Sequence, residues 1–391
     1  MLNSHPRISD VAEAWRSLDP RRSLLNAPEW VETSEDDSPD SARYAVHHDA
    51  DGQPNASVAV FRVDGNMFRN YDPVEVLLDC PEDAHENVAP EEVARLTALQ
   101  DEASALLRDA MRPAAVCMLP GAYLPGIIRT ATDAQTIHEL LDTLDRAAQD
   151  WGARSTAVMH VPAEDSQLDQ ILRERGYVSS TVTAQCVIPV PGKSFEDYLA
   201  TFGRKRRYKI LRERRVFAES GIKTRWAGPE VLEDEAMVAE MGRLQSEQLR
   251  QYGHDIPTER MVALLRRIKE HLSPWCRVLV AERDGVMEAF VLSYADAESL
   301  YPKMVGWSDY AQRNFAYFNM VYYEQVAYAS EQGLSQIVAG PETYDAKVHR
   351  GGVLHQRRMY VRAMEQETSV LVSLAEALDR VHQARLNAYV S

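Results

Sequence analysis

The feature that most constrains the fold of this chain is a regular alternation of strand-like and helical segments between residues 114 and 189. Short apolar runs at residues 114–118, 155–161 and 180–189 have the composition of buried strands. The segments between them, at residues 134–151 and 165–175, repeat apolar residues at helical spacing. Strands that alternate with helices in this way predict an α/β fold, in which helices cover a sheet.

The second half of the chain repeats a comparable order of segments. Strands are predicted at residues 277–283 and 287–294, joined by Asp284-Gly285, which is the strongest hairpin signal in the sequence. A long helix over residues 315–332 ends at Gly333, and a strand over residues 336–340 follows. The repeated order predicts two lobes with related architecture.

Charge separates the two halves and suggests where the boundary between them lies. Residues 1–190 carry 15 Lys and Arg against 32 Asp and Glu, a balance of -17, whereas the remainder carries 28 against 27, a balance of +1. Lysine is absent before Lys193, just after the Pro189-Val190-Pro191-Gly192 stretch. We therefore expect one domain over residues 1–190, which is acidic, and a second over residues 191–391.

A run of positive charge opens the second half and stands out in a chain of formal charge -16. Ser194 and Asp197 form a capping-box pattern for a short helix, and Gly203 separates it from a basic helix over residues 204–218. The run has two interpretations: a solvated helix face, or a surface that binds the phosphates of a coenzyme A, an acidic carrier domain or a tRNA. On the second interpretation its phosphate-binding residues are Arg204, Lys205, Arg206, Arg207 and Lys209.

The remaining composition limits the compartment and the cofactors. The four cysteines, Cys80, Cys117, Cys186 and Cys276, lie far apart and show no metal-ligand spacing, so we expect free thiols and no metal site. The first residues lack the apolar core of a signal peptide, and no apolar run is long enough to span a membrane. These observations predict a cytoplasmic protein without a membrane segment and without a permanently bound cofactor; they do not predict its oligomeric state.

Several runs of the second half resemble a known family. They are LYPKMVGWSD, AYFNMVYYEQVAYASEQGL and IVAGPETYDAKVHRGG, preceded by YLATFGRKRRYKILRERR. Together they are similar to the Fem-type and peptidoglycan-biosynthesis-type acyltransferases over about 170 residues, from near Phe195 to near Val361. The resemblance implies two GNAT-like lobes, each with a mixed, mostly antiparallel sheet flanked by helices. It also implies transfer of an acyl group from a thioester or aminoacyl ester to an amine.

The resemblance gives Lys347 a role as well. In the family a lysine ahead of an Arg-Gly or Phe-Gly pair stabilises the oxyanion of the tetrahedral intermediate, and Lys347 occupies that position before Arg350-Gly351. The residues alone are compatible with this role, because Lys347 and Arg350 lie three apart on a predicted turn after a strand end. The alternative is that Lys347 is an ordinary surface lysine.

Further candidates surround this segment. Glu342 and Glu288 are candidate general bases for the amine, and the sequence does not choose between them. His349 and His355 beside the same loop are alternatives, and so is a reaction without a dedicated base. The substrate or donor is expected to contact Arg350, Tyr344, Tyr301, Lys303, Tyr317 and Asn319.

The co-substrate is expected to be an aminoacyl-tRNA or an acyl-CoA, and the acceptor an amine-bearing small molecule or peptide. A glycine-rich loop typical of acetyl-CoA users is missing after residue 307, which favours a bulkier donor. Two other functions remain open: a non-catalytic protein that binds a peptide or carrier, and, less favoured because of the acidic first half, a general nucleic-acid binder.

Overall fold

The computed structural model describes residues 2–19, 23–35, 41–65, 67, 69–130, 133–364 and 368–390. Its strands, in chain order, are β1 (Ala42–His48), β2 (Pro54–Val63), β3 (Ala114–Cys117), β4 (Ile127–Arg129), β5 (Ser155–Pro162), β6 (Val178–Pro189), β7 (Lys223–Ala227), β8 (Cys276–Arg283), β9 (Val286–Ala295), β10 (Ser299–Trp307), β11 (Gln336–Gly340) and β12 (Val353–Ala363).

The α-helices of the described residues alternate with these strands. They are α1 (Ala12–Ser17), α2 (Pro28–Glu32), α3 (Pro73–Leu77), α4 (Ala84–Asn87), α5 (Pro90–Met111), α6 (Ala134–Asp150), α7 (Ser166–Glu174), α8 (Phe195–Ala200), α9 (Arg204–Glu219), α10 (Glu235–Gln251), α11 (Thr258–Leu272), α12 (Asp309–Arg313), α13 (Ala316–Phe318), α14 (Glu324–Gln332), α15 (Tyr344–Val348) and α16 (Thr368–Val390). A π-helical turn over Asn319–Tyr323 joins α13 to α14. The predicted α/β class is confirmed: a mixed sheet is flanked by helices.

The chain divides into two compact units. Unit 1 contains residues 1–185 and 354–391, and unit 2 contains residues 186–353. The sequence predicted a division at 190 with everything after it in one domain, whereas the structure assigns residues 354–391 to unit 1. The reason is that β12 pairs antiparallel with β5 and that α16 packs against α5, so the end of the chain completes the first unit.

Within unit 1 the strand order is β1, β2, β3, β5, β12, with β4 also beside β2. β3 and β5 are parallel, and the other registered pairs are antiparallel. Because parallel neighbours need a crossover connection, α6 lies between them in sequence and covers the sheet with the apolar side chains Ile137, Leu140, Leu141 and Leu144. This packing forms the core of unit 1.

Unit 2 repeats the arrangement. Its strand order is β11, β10, β9, β8, β7, and the final residues of β6 pair antiparallel with β11. β10 and β11 form the parallel pair, and the helical segment from α12 to α14 connects them. Its core packs Met320, Tyr322, Tyr323 and Val326 of this connection against sheet residues such as Leu279 and Val291. The parallel pair, with its helical crossover, therefore determines where a cleft can form in unit 2.

Candidate functional site

The parallel strands β10 and β11 separate soon after they begin. Their registered pairs are Ser299 with Gln336 and Leu300 with Ile337, although β10 continues to Trp307 and β11 to Gly340. Beyond the last registered pair the ladder between the two strands ends, which leaves a gap in their pairing. Such a gap at the carboxyl ends of parallel strands is a usual place for a ligand site.

A tightly curved segment follows β11 and surrounds the amine of one lysine. Gly340, Glu342 and Thr343 all have positive φ, at 73°, 59° and 52°. This curvature turns the carbonyl groups inward, so that Lys347 Nζ donates to Gly340 O at 3.1 Å and to Pro341 O at 2.5 Å. Two non-glycine residues in the left-handed region are uncommon and store strain, which is typical of functional segments.

Lys347 is almost completely buried, with 6% of the residue exposed. Burial lowers the pKa of its ammonium group to about 8, while the charge of Glu342 acts in the opposite direction. An ammonium group has three N–H bonds, and the two carbonyl groups use two of them. The third N–H bond is left for a further acceptor. Lys347 is therefore not the ordinary surface lysine of the alternative interpretation.

Lys303 is the second cationic group in the gap. The register of β10 against β9 shifts between Pro302 and Met304, so Lys303 sits on a bulge, a feature that often redirects a side chain next to an active site. Burial of its ammonium group and, to a lesser extent, the charge of Lys347 together lower its pKa to about 8. Lys303 and Lys347 are thus close enough for their charges to interact. The sequence alone did not predict this proximity.

A close contact holds the end of this segment in place. A Cβ atom at Gly352 would lie 2.3 Å from Cys186 Sγ and 2.9 Å from the carbonyl oxygen of Lys347, so only glycine fits. Cys186 belongs to the end of β6 and is itself buried, which raises the pKa of its thiol to about 11. The thiol is therefore neutral and acts as a packing group beside Lys347.

Arg350 lies at the centre of a buried polar cluster. Its Nη2 donates to Glu213 Oε2 at 2.9 Å, its Nε donates to Tyr323 OH at 3.1 Å, and its Nη1 donates to Ala346 O at 2.8 Å. Its guanidinium carbon also lies 3.7 Å from the centroid of the Phe318 ring. Through these contacts Arg350 joins α9, the π-helical turn and the segment that carries Lys347.

Glu213 was not among the sequence candidates, although the sequence held a signal for it. It is the only acid between Arg204 and Arg215, and it is buried where its neighbours on α9 are mostly exposed. It accepts hydrogen bonds from both Arg350 and Tyr323. A single acid within a basic helix is a reasonable candidate for a buried ion pair, because a buried carboxylate loses its hydration and needs an opposite charge to compensate.

The basic helix itself has the predicted position, with bounds Arg204–Glu219, and the capping box of Ser194 and Asp197 before it is confirmed. Ile210, Glu213 and Phe217 form its buried side. Its exposed side carries Arg204, Lys205, Arg207, Lys209, Arg212 and Arg215, whereas Arg206 is partly buried. Tyr208 and Leu211 are also exposed on this helix, at 68% and 51%.

The other predicted residues fall into different surroundings. Asn319 donates to the carbonyl of Glu213 at 3.2 Å, and Tyr317 shares a hydrogen bond with Tyr322, so both belong to the helical side of the core. Tyr301 donates to Asp296 Oδ2 at 2.7 Å. Tyr344 is completely buried at the start of α15. Their roles toward a substrate remain predictions.

The two candidate bases also differ in position. Glu342 is in the curved segment and influences Lys347. Glu288 lies opposite the end of β10: it accepts from Arg283 Nη2 at 2.9 Å and from the Ser308 hydroxyl. Ser308 is five residues beyond Lys303, which corresponds to roughly 16 Å along an extended strand. Glu288 is therefore placed at the far end of β10, several residues along the strand from Lys303.

Two absences concern the described residues only. No group of three or more His, Cys, Asp and Glu side chains within them is arranged to hold a metal ion. None of their helices combines the length and apolar character needed to cross a bilayer.

Two units, each built around one parallel strand pair with a helical crossover, define a tandem GNAT-fold protein. The sequence profile of the FemAB-like family, described as peptidoglycan biosynthesis/recognition, matches residues 113–384. The chain belongs to this family. No curated protein matches the chain.

Solved structures show the same fold at low sequence identity. FemX is 12% identical with a TM-score of 0.57, covering 95% of this chain and 100% of its own. The C-terminal domain of a putative lysylphosphatidylglycerol synthetase from Agrobacterium fabrum is 10% identical with a TM-score of 0.53, covering 95% and 96%. A tandem GNAT protein from the clavulanic acid biosynthesis pathway is 9% identical with a TM-score of 0.51, covering 94% and 100%. At these identities the likeness concerns the fold.

Proposed function

We propose that this protein is an acyltransferase that moves an aminoacyl group from an aminoacyl-tRNA to an amine of a peptide or small molecule. The observation that carries the proposal is the proximity of two lysines near the carboxyl ends of β10 and β11: Lys347, which is buried, and Lys303, which is partly buried. A charged ammonium group that is withdrawn from water, with a second amine beside it, favours an anionic or developing anionic partner.

Lys347 is suited to stabilise a negative charge that forms during the reaction. When an amine attacks an ester carbonyl, the carbonyl oxygen becomes an oxyanion before the ester C–O bond breaks. The Lys347 ammonium is held in place by Gly340 and Pro341, so its remaining N–H bond is fixed in direction before the substrate binds. One fixed donor of this kind contributes about 2.7–4 kcal/mol to transition-state stabilisation.

Lys303 is suited to the proton transfer. Repulsion between neighbouring ammonium groups makes it easier for one of them to lose its proton near neutral pH. A neutral Lys303 amine would accept the proton that the attacking amine loses as its new N–C bond forms. The leaving ribose hydroxyl then takes up a proton as the ester C–O bond breaks, so the overall transfer conserves protons.

The segment after β10 supports tRNA over coenzyme A as the donor. Residues 308–314 contain no glycine, and the N-terminus of α12 is capped by Ser308, whose side chain accepts from Ala311 N at 3.1 Å. The carboxylate of Glu288 accepts from the same hydroxyl, which places negative charge where a pyrophosphate would otherwise bind. A donor with phosphates is therefore better held elsewhere.

The basic helix α9 offers such a surface. Its six exposed cationic side chains suit a phosphate backbone, and the exposed ring of Tyr208 can stack on a base. The ion pair of Glu213 with Arg350 connects this helix to the segment that carries Lys347. Donor binding on α9 and chemistry at Lys347 are thus linked through one buried polar cluster within unit 2.

The acceptor is expected to carry a primary amine, because a neutral amine attacks the ester carbonyl without prior deprotonation and loses its proton to Lys303 as the new N–C bond forms. The family description, peptidoglycan biosynthesis/recognition, favours an amine on a cell-wall precursor or a related peptide. Without this description the site would equally suit other small amines.

Incubation of the protein with a set of charged tRNAs, with acetyl-CoA and with amine-bearing peptides, followed by mass spectrometry, tests the proposal. We expect an added aminoacyl mass on a peptide only in reactions that contain charged tRNA. Transfer from acetyl-CoA alone would identify a different donor. Saturable peptide binding without any product from either donor would favour the non-catalytic alternative.

A further inference from the structure

Unit 1 contains a polar cluster at the position where its own parallel strands separate. β3 and β5 pair from Ala114 with Ser155 to Cys117 with Val158, and His160 lies two residues beyond the last pair. On the other side, β12 pairs Arg358 with Val161 and then Tyr360 with Val158, so β5 bulges at Met159 and His160. The bulge gives His160 a φ of 58° and redirects its side chain.

His160 presents a hydrogen-bond acceptor that no group of the described protein uses. Only 1% of the residue is exposed, and its Nε2 lies 3.1 Å from the carbonyl oxygen of Asn70. Because a carbonyl can only accept, Nε2 carries the proton. Burial lowers the pKa of the ring to about 3, so Nδ1 is unprotonated at neutral pH. Nδ1 has no hydrogen-bond partner, and it needs a donor from outside the protein.

Arg357 has a buried hydrogen-bond donor without a partner, which complements the unused acceptor of His160. It lies opposite Pro162 on the neighbouring strand and is only 8% exposed. Its Nη1 donates a long hydrogen bond to the carbonyl oxygen of Gln356, at 3.4 Å, whereas its Nε has no hydrogen-bond partner. Its nearest carboxylate among the described residues is that of Glu164, whose mostly exposed side chain lies 4.0 Å away. The charge of Arg357 is close enough to His160 to lower the pKa of that ring. A buried guanidinium group with so little compensation favours an anion.

Two tyrosines complete the cluster. The rings of Tyr123 and Tyr71 lie 5.1 Å and 5.7 Å from the His160 ring, and Asn70 Nδ2 donates to Tyr123 OH at 3.1 Å. Tyr123 also has a positive φ, at 56°. Two non-glycine residues in the left-handed region facing one another cost about 1–3 kcal/mol each, and such strain is typical of ligand sites.

We propose that the cluster of His160, Arg357, Tyr71 and Tyr123 is a second binding site, for a small organic carboxylate that also carries a hydroxyl or amino group. The carboxylate pairs with Arg357, and the hydroxyl or amino group donates to His160 Nδ1. The tyrosine rings cover the carbon skeleton. This site lies wholly within unit 1 and does not depend on the transfer chemistry proposed for unit 2.

The experiment measures binding of L-lactate, L-alanine and acetate to the full-length protein by calorimetry and by ligand-observed NMR. We expect saturable binding of L-lactate or L-alanine, with acetate about 2- to 10-fold weaker because it lacks the donor for Nδ1. Arg357→Met should abolish the binding, whereas the exposed control Arg95→Met should leave it unchanged. Absence of saturable binding for all three probes overturns the proposal, as does binding that persists in Arg357→Met.

A second measurement observes ligand binding to the unmodified protein, so its result does not depend on whether the Arg357→Met variant folds. In ¹⁵N NMR of histidine-labelled protein, the His160 resonances are assigned as those missing from His160→Phe. Addition of L-lactate should shift the Nδ1 resonance and leave that of the exposed control His85 in place. If the Nδ1 resonance stays fixed at lactate concentrations that saturate binding, the ligand lies elsewhere and the proposal fails.

Discussion

Arg350 and Glu213 form a buried ion pair, with Nη2 and Oε2 2.9 Å apart, although 137 positions separate them in the sequence. The pair joins the basic helix to the segment after β11, and Tyr323 bonds to both partners. Breaking a buried pair on one side leaves a charge without compensation in the interior. The geometry of Lys347, three residues from Arg350, therefore depends on the pair.

Replacement of Glu213 by leucine is expected to destabilise the protein by about 3–5 kcal/mol, because the Arg350 guanidinium stays buried without its carboxylate. Chemical denaturation measures the change in the free energy of unfolding. The double variant Glu213→Leu with Arg350→Met should recover much of the loss, since no buried charge remains. Glu219→Leu, at an exposed position on the same helix, is the control. A loss for Glu213→Leu no greater than that of the control would contradict the account.

Lys303 and Lys347 predict a particular dependence of stability on pH. Their pKa values of about 8 in the folded protein lie below those of the unfolded chain, near 10.5. Between these values the unfolded chain binds more protons, so the contribution of the two lysines to stability rises as the pH increases from 8 to 10.5. Well below pH 8 the two lysines are charged in the folded and in the unfolded protein, and the burial of charge costs stability.

Buried thiols and phenols titrate over a similar range with the opposite sign, as burial raises the pKa of Cys276 to about 12 and also that of Tyr294. The test is therefore a difference in melting temperature between wild type and the Lys303→Met, Lys347→Met double variant, measured from pH 7 to pH 10. We expect wild type to gain a few degrees on the variant over this range. A constant difference would show that the two lysines do not titrate there.

Removal of positive charge from α9 is expected to weaken tRNA binding in a salt-dependent way. For the double variant Arg204→Gln with Lys205→Gln, the slope of log K against log salt concentration should fall in magnitude by about 1.4–1.8, if both side chains contact phosphates. Filter binding or fluorescence anisotropy at several salt concentrations measures the slope. The matched control is Arg260→Gln with Arg266→Gln on α11, both exposed. Equal slopes for both double variants would remove α9 from the donor site.

Gly352 tests the packing that supports the lysine segment. Gly352→Ala places a methyl group against Cys186 Sγ and the Lys347 carbonyl, and overpacking of this kind costs about 1–3 kcal/mol. Adding Cys186→Ala removes the sulfur and should restore part of the loss, as thermal unfolding can show. Gly203→Ala meets no atom within 4 Å and serves as the control. If Cys186→Ala brings no recovery, the contact is not the cause.

Much of the fold could be predicted from local sequence patterns. Asp284 and Gly285 form the predicted hairpin turn with φ of 53° and 81°, because an Asp-Gly pair readily adopts the left-handed region. The position of α9 followed from its charge run and from Gly203. The pairing of β12 with β5 could not be predicted, since strand order depends on contacts between distant segments.

The candidate site was predictable only in part. The helix predicted over residues 315–332 is interrupted by a left-handed Phe315 and by the π-helical turn. These departures carry Asn319 and Tyr323 to Glu213, a tertiary requirement that local helical spacing does not express. The role of Lys347 was predicted from the family resemblance. Its proximity to Lys303 could not be predicted, because it depends on the pairing of β10 with β11.

The most direct measurement is the rate of single-turnover aminoacyl transfer by Lys347→Met, compared with wild type and with the exposed-lysine control Lys223→Met. We predict a rate about 100- to 1,000-fold below wild type, matching the loss of one fixed oxyanion donor, with an unchanged or higher melting temperature because a buried charge is gone. The control should retain the wild-type rate. A Lys347→Met protein that transfers at the wild-type rate would contradict the account.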